Sequence, residues 1–188
     1  MKKGVVGLVV VLAGVLSFSG VGFSSTLGAD FFVPFAIKQD VANWKVGDSV
    51  TYSMDLGFFG TGELVKKVTS DEGEAIWVTT ESKMPMGQQE VKTLHRKSDG
   101  KVLKMLVDGK EQAYDEPKIK ILDQRPEEVT VPKGTFKSIY LKVRDETQEA
   151  DIEVWINPID IPVGGIVKTV IQKDFITATM EMTDFVKQ

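Results

Sequence analysis

A chain of 188 residues, 42% hydrophobic and 27% charged, has the length and composition of one folded domain, which excludes a disordered protein. The sequence contains no cysteine, so it has no disulfide framework, no thiolate metal site and no lipid anchor on an N-terminal cysteine. Its formal net charge of −4 argues against nucleic acid and anionic membrane surfaces as main partners.

The first predicted element is a targeting segment. Residues 1–3 carry two lysines, residues 4–16 are apolar without interruption, and Ser17 and Ser19 are small residues at the spacing that a signal peptidase reads. We predict a helical signal peptide over residues 1–29 and a periplasmic or secreted location in a bacterium. An uncleaved inner-membrane anchor is the alternative, because residues 4–29 carry no charge and roughly 20 apolar residues can span a bilayer.

Residues 30–48 are predicted to be a connector. Phe31, Phe32, Val33 and Phe35 surround Pro34, and four large apolar side chains rarely stay solvated together. An edge strand and a short helix are both compatible with this segment. We favour a plug that packs against the following domain.

Residues 49–188 are predicted to form one β domain, because short runs of alternating apolar and polar residues follow one another and end in turn signals. The pairs Asp99–Gly100 and Asp108–Gly109 suit the type I′ turns of tight hairpins. The segments 132–134 and 157–158 contain proline and end two further strands.

The fold predicted from these runs is mainly β. About ten strands follow one another without helical crossovers, so the sheet is antiparallel. A sheet of this width twists and curls, which predicts a single curved antiparallel sheet, or half-barrel, with few short helices after the N-terminal signal helix. Its concave face could hold a ligand, a plug or a partner.

The sequence shows no recognisable catalytic or metal-binding pattern. His95 is the sole histidine, without the spacing of a zinc site, and no nucleophile elbow of the form GxSxG occurs. Carboxylate clusters at 71–74, 115–116, 127–128 and 145–146 fall in or beside predicted turns, where solvated charge is expected. We therefore expect no enzyme activity, no metal and no cofactor.

Apolar ligand contact is the more informative possibility, because methionine adapts to irregular partners such as lipids. Phe58–Phe59 and Met84–Met86 fall in predicted turns, where packing in a core explains them less well. For strand residues, plain core filling is the simpler interpretation. The candidate ligand-binding residues are Phe58, Phe59, Trp77, Met84, Met86, Met105 and Trp155.

Three segments between residues 128 and 168 resemble a pattern of uncharacterised bacterial periplasmic proteins related to the LolA/LolB-like lipoprotein-carrier superfamily. The segments are VTVPKGTF (129–136), WINP (155–158) and PVGGIVK (162–168). The resemblance implies an open half-barrel whose concave face binds an acyl chain or is closed by a plug, and it implies no catalytic residue. The chain departs from the carriers in two ways: no capping helices are found in its sequence, and it lacks the cysteine that anchors the receptor type.

Two functions remain open at this point. The first is an exported, non-enzymatic periplasmic protein that binds an apolar ligand, namely an acyl chain, a lipid or a lipoprotein, in the concave face. The second is a structural envelope component that works through a protein partner and has no ligand cavity. A concave cavity near the roughly 300 Å³ lower limit of ligand pockets would favour the first, and exposed strand edges with an exposed Phe58–Phe59 loop would favour the second.

Overall fold

The computed structural model describes residues 10–11, 36–37, 43–85, 87–114, 117–174 and 176–188. The predicted signal helix and most of the predicted plug therefore lie outside the described residues. Within those segments, Val10–Val11 (β1) pairs antiparallel with Ala36–Ile37 (β2) in a small separate sheet. No helix in the described part of the chain has the length and apolar character needed to cross a membrane.

Eleven further strands form one antiparallel sheet, which confirms the predicted mainly-β fold. They alternate with short turns, and a single 3-10 turn at Gly57–Phe59 joins the first two. The strands are β3 (Ser49–Asp55), β4 (Thr61–Asp71), β5 (Ala75–Met84), β6 (Gly87–Arg96), β7 (Val102–Val107), β8 (Lys110–Gln112), β9 (Ile119–Val131), β10 (Gly134–Asp145), β11 (Ala150–Ile156), β12 (Ile166–Lys173) and β13 (Ile176–Val186).

The spatial order of the sheet is β8-β7-β6-β5-β4-β3-β13-β12-β11-β10-β9. Strands β3–β8 make one meander and β9–β13 make a second, and the first and last of these strands pair at the centre. The C-terminus strengthens this central pair, because the backbone N–H of Gln188 donates to Asp48 Oδ1 at 2.8 Å. Asp48 also accepts from the backbone N–H of Lys45 at 2.8 Å, so one buried carboxylate joins the entry of β3 to the end of β13.

Local turn chemistry confirms one of the two predicted type I′ turns. Asp108 and Gly109 both have positive φ, at 49° and 77°, which is the requirement of a type I′ turn between β7 and β8. At Asp99–Gly100 only Gly100 has positive φ, at 73°, and β6 is joined to β7 by the longer connection 97–101, so the type I′ prediction is wrong there.

The sequence predicts separate short strands around residues 119–121 and 129–131, whereas the structure has one strand, β9, of 13 residues. Pro126 interrupts the alternation of apolar and polar residues in β9. It is tolerated because β9 is an edge strand, in which the backbone N–H groups that face away from the sheet need no partner strand.

The second meander curls back on itself. The backbone N–H of Lys133, in the turn between β9 and β10, donates to the carbonyl of Met182 on β13 at 3.3 Å. The Lys133 ammonium also pairs with Asp184. Three strands lie between β9 and β13 in the sheet order, so this contact shows that the sheet is strongly curved at that end.

The concave face of the sheet, here called the inner wall, is a packed hydrophobic core. Period-two alternation puts one set of side chains from every strand on this face. Tyr52 and Met182 are 0% exposed and Ile152 is 1% exposed, and they belong to one cluster drawn from both meanders. The Tyr52 hydroxyl donates to the Ile166 carbonyl at 3.1 Å, which satisfies the polar end of this buried side chain.

The loop between β11 and β12 closes one end of the core and depends on Gly165. Gly165 has φ +70°, and a Cβ at this position would lie 2.6 Å from Pro158 Cα. Gly73, in the exposed turn between β4 and β5, has a similar φ of +81°, but a Cβ added there would meet nothing within 4 Å.

We expect Gly165→Ala to lower the free energy of unfolding by about 3 kcal/mol or more, because it combines left-handed strain with a backbone clash. The matched variant Gly73→Ala carries the strain alone and should cost about 1 kcal/mol. Urea unfolding followed by circular dichroism measures both. Equal losses in the two variants would contradict this account of the loop.

Candidate functional site: an apolar tip and the inner wall behind it

The 3-10 turn between β3 and β4 presents an aromatic side chain to solvent. Asp55 Oδ1 accepts a hydrogen bond from the backbone N–H of Gly57 at 2.8 Å, which fixes the start of the turn. Phe58 is 97% exposed, and its ring meets the Phe59 ring edge-on at 5.8 Å between centroids. An exposed phenylalanine does not contribute the roughly 2 kcal/mol that its burial would add to stability. The stability of the fold therefore does not explain why a phenylalanine occupies position 58.

The turn between β5 and β6 lies beside the 3-10 turn. A Cβ on Gly60 would meet Pro85 Cγ at 3.0 Å, and a Cβ on Gly62 would collide with the sulfur of Met84. The absence of side chains at these two glycines is what lets the two turns approach. Phe58, Phe59, Met84 and Pro85 therefore form one apolar end of the sheet, here called the tip.

A row of methionines leads from the tip into the inner wall. Met180 on β13 lies opposite Met54 on β3, Met54 lies opposite Gly62 on β4, and the Met84 side chain packs over Gly62. Met54 is 3% exposed, while Met84 and Met180 are half-buried and pack against the core. The flexible side chains at the mouth of the inner wall can therefore change rotamer without disturbing the sheet.

Farther from the tip, the inner wall of β4–β6 becomes polar. The buried polar side chains on this part of the wall are Lys66, Thr80, Ser82, Thr93 and His95. They occupy the same alternating positions as the apolar core residues of these strands. The sequence prediction does not include this set. A sequence feature that could have revealed this set is that, in three consecutive strands, polar residues occupy alternating positions that are otherwise filled by buried apolar residues.

His95 is a structural residue within this polar region. Its Nε2 shares a hydrogen bond with Thr93 Oγ1 at 2.7 Å, and its Nδ1 lies 3.3 Å from the Gly100 carbonyl oxygen. The Trp44 ring packs against it edge-on, with the centroids 5.9 Å apart. Burial lowers the pKa of His95 to about 4, and burial likewise lowers the pKa of Lys66 to about 8.

The two tryptophans of the predicted site lie on the opposite, outer face of the sheet. Trp155 stands between Val154 and Ile156 on β11, whose side chains are in the core, so its own ring points outward. Its indole N–H donates to Glu127 Oε1 at 2.9 Å, and its ring lies 5.1 Å from the Tyr140 ring. These contacts make Trp155 part of the outer surface, so it does not line the inner wall.

Trp77 has the same kind of environment on β5, where its indole N–H donates to Glu72 Oε1 at 2.7 Å. Met105 does lie on the inner wall, where it is 5% exposed and opposite Thr93. Met86 lies outside the described residues. Of the predicted ligand-binding residues, the structure therefore brings Phe58, Phe59 and Met84 together at the tip, with Met105 farther along the same wall.

A cavity of about 370 Å³ lies on the outer face of β4–β7. The binding surface predicted from the sequence is the concave face, so this cavity is a separate feature and the concave site stays a prediction. The cavity is lined by Thr69, Ser70, Trp77, Thr79, Glu81, Glu90, Lys92 and Leu106. In the described ranges, no group of three or more histidine or carboxylate side chains is arranged to hold a metal ion.

No protein-family model and no curated protein matches the sequence. A hypothetical protein of Chlamydia trachomatis has a similar fold, with a TM-score of 0.51 and 9% identity, over 79% of this chain and 90% of that protein. At this identity the match shows a shared fold and nothing about activity.

Two other solved structures match less closely. A candidate exported protein of Bacteroides fragilis with a YmcC-like fold has a TM-score of 0.42 and 10% identity, over 76% of this chain and 97% of that protein. A candidate lipoprotein of Parabacteroides distasonis has a TM-score of 0.44 and 10% identity, over 76% of this chain and 96% of that protein. The relation to lipoprotein carriers remains a prediction from the sequence.

The lowered pKa of His95 gives stability a defined pH dependence. Between pH 6.5 and about 4 the unfolded chain binds a proton at His95 that the folded chain does not. The free energy of unfolding should therefore fall as pH is lowered through this window, by about 3 kcal/mol from this residue. Replacing the imidazole by a neutral amide in His95→Gln should remove that contribution.

The measurement is urea unfolding at intervals from pH 7 to pH 4 for both proteins. The carboxylates titrate in the same range, so the informative quantity is the difference between the two curves. A difference that stays constant across the window would show that His95 is not held neutral by the fold.

Proposed function

We propose that this chain is an exported, non-enzymatic protein that binds an apolar ligand at the tip and along the adjoining inner wall. The ligand class is an acyl chain, either of a free lipid or of a lipoprotein. The observation that carries the proposal is the row of adaptable methionines, Met84, Met54 and Met180, which leads from the tip into the inner wall. Export rests on the signal-like residues 1–29, and the acyl class rests on the resemblance to lipoprotein carriers.

The packing of the inner wall limits where such a ligand can go. Tyr52, Leu141 and Met182 are each 0% exposed, so the middle of the wall is filled by the protein's own side chains. The half-buried Met84 and Met180 are instead at the margin, where displacement costs less. Binding therefore starts at the tip and extends inward only as far as the methionines rearrange.

We expect Phe58→Ser to weaken binding of palmitate about tenfold, because the side chain supplies roughly 1–2 kcal/mol of apolar contact. Its stability should be unchanged, since Phe58 makes little contact within the fold. Ile159→Ser is the matched control, because Ile159 is 80% exposed but lies at the opposite end of the sheet. Titration calorimetry and native mass spectrometry measure the binding.

Equal weakening by both substitutions would show that general surface hydrophobicity is being measured. Absence of palmitate binding to the unmodified protein, together with no lipid adduct on protein purified from its host envelope, would rule the proposal out.

A second function, contact with an envelope protein, is favoured by the exposed Phe58 in the tip and by the free edge of the sheet. Strand β9 is 13 residues long and pairs on one side only within the sheet. Ile121 and Leu122 on this strand are 42% and 48% exposed. A partner strand could add to this edge through backbone hydrogen bonds, although Asp123 and Arg125 place charge there that discourages indiscriminate pairing.

The two functions predict different adducts from a photo-crosslinking residue introduced at Pro85 in the tip. An acyl ligand should give an adduct of lipid mass, whereas a protein partner should give a discrete protein band. Either adduct should disappear in the double variant Phe58→Ser, Phe59→Ser, and it should persist in Ile159→Ser. An adduct of either kind that persists in the double variant would show that the tip is not the binding surface.

A further inference from the structure

The cavity on the outer face of β4–β7 is an open groove, and it is a second candidate binding surface, separate from the tip. Its volume of about 370 Å³ falls within the range of small-ligand pockets. Its lining differs from the inner wall, because an indole, three hydroxyls, two carboxylates and an ammonium group share it with one leucine. An occupant of this groove must therefore be both polar and partly apolar.

The groove follows strand β5. Trp77, Thr79 and Glu81 occupy alternate positions, so their side chains lie along about 13 Å of one face. The Trp77 ring is held by the hydrogen bond from its indole N–H to Glu72, and Thr79, 4% exposed, shares a 3.1 Å hydrogen bond with Thr69. The indole end and the middle of the groove are thus fixed in place, which reduces the entropy lost when a ligand binds.

The other end of the groove offers both acceptors and a donor. Glu81 lies directly opposite Glu90 in the pairing of β5 with β6. The Lys92 ammonium lies 3.0 Å from Glu90 and offsets its charge. Glu81 has no ion pair with any residue in the described ranges, so its carboxylate oxygens are open to donors from a ligand.

These groups exclude several ligand classes. An acyl chain would bury the Glu81 carboxylate without a partner and would take the Glu90–Lys92 ion pair out of water, and both are unfavourable. A phosphate group would be repelled by Glu81 and Glu90. An organic cation would be attracted by Glu81 but repelled by Lys92.

A sugar satisfies the whole lining. Its hydroxyls can donate hydrogen bonds to the carboxylates of Glu81 and Glu90 and accept one from the Lys92 ammonium. The C–H face of its ring is apolar and can pack on the Trp77 indole. We propose that this groove binds a carbohydrate, and its length of about 13 Å accommodates roughly two pyranose rings.

The test is an NMR titration of the ¹⁵N-labelled protein with cellobiose, maltose and N,N′-diacetylchitobiose. At least one should cause saturable shifts of the Trp77 indole N–H and of amides in 77–81 and 90–92, with a dissociation constant of about 0.1–10 mM. Trp77→Leu should weaken that binding by about tenfold or more. Glu81→Gln, which changes only one exposed group, should weaken it by about threefold to tenfold.

Trp155→Leu is the matched control, because Trp155 is also an outer-face indole bonded to a glutamate, and it should leave the affinity unchanged. Thermal unfolding of each variant separates loss of binding from loss of the fold. The proposal is overturned if none of the three disaccharides causes saturable shifts up to about 50 mM, or if the shifts survive both Trp77→Leu and Glu81→Gln. Spermidine binding that depends on Glu81, with no disaccharide binding, would assign the groove to a cation instead and would equally overturn it.

Discussion

A short connection between the two outermost strands is the constraint on which the rest of the structure depends. Strand β8 ends at Gln112 and β9 begins at Ile119, yet these strands lie at opposite edges of an eleven-stranded sheet. Residues 113–118 can span at most about 25 Å from one strand to the next, whereas a flat sheet of this width would measure about 48 Å. The sheet must therefore curl until its edges approach, and the hydrogen bond from the Glu146 N–H to the Lys118 carbonyl, at 2.8 Å, anchors the end of the link to the β10–β11 turn.

Curling places the two faces of the sheet in different environments. The inner wall is brought together from both meanders and becomes the hydrophobic core, so it cannot also be a wide empty trough. The outer face stays in water and carries rows of paired charges and aromatic rings, for example Arg125 over Tyr140 and Trp155 beside Lys168. The surfaces proposed for binding are the tip, where a turn exposes Phe58, the free edge of β9, and the outer groove beside Trp77.

Much of the fold follows from local sequence. Alternation in residues 50–56 and 176–183 identifies strands because each strand buries one face, and Asp108–Gly109 identifies a hairpin because few residues accept two successive positive φ angles. The sequence pattern predicts two short strands in place of β9, because Pro126 interrupts the alternation. Proline is compatible with one continuous strand here only because β9 lies at the edge of the sheet. The exposure of Phe58 could be anticipated, since it lies in a turn between glycines, whereas its neighbour Phe59 packs against the core.

The sequence by itself determined that this chain is a ribbon of antiparallel hairpins, because alternation and turn residues act within a few positions of one another. Alternation also sets Trp77 and Trp155 opposite the apolar residues that flank them, so their prediction as ligand-binding residues of the concave wall rested on their aromatic character and not on their phase in the strand. Only the tertiary structure made β3 and β13 neighbours, placed Met84 over Gly62, and set Glu81 against Glu90 near an indole. The register between strands and the curvature of the sheet decide those contacts, and both are properties of the whole sheet.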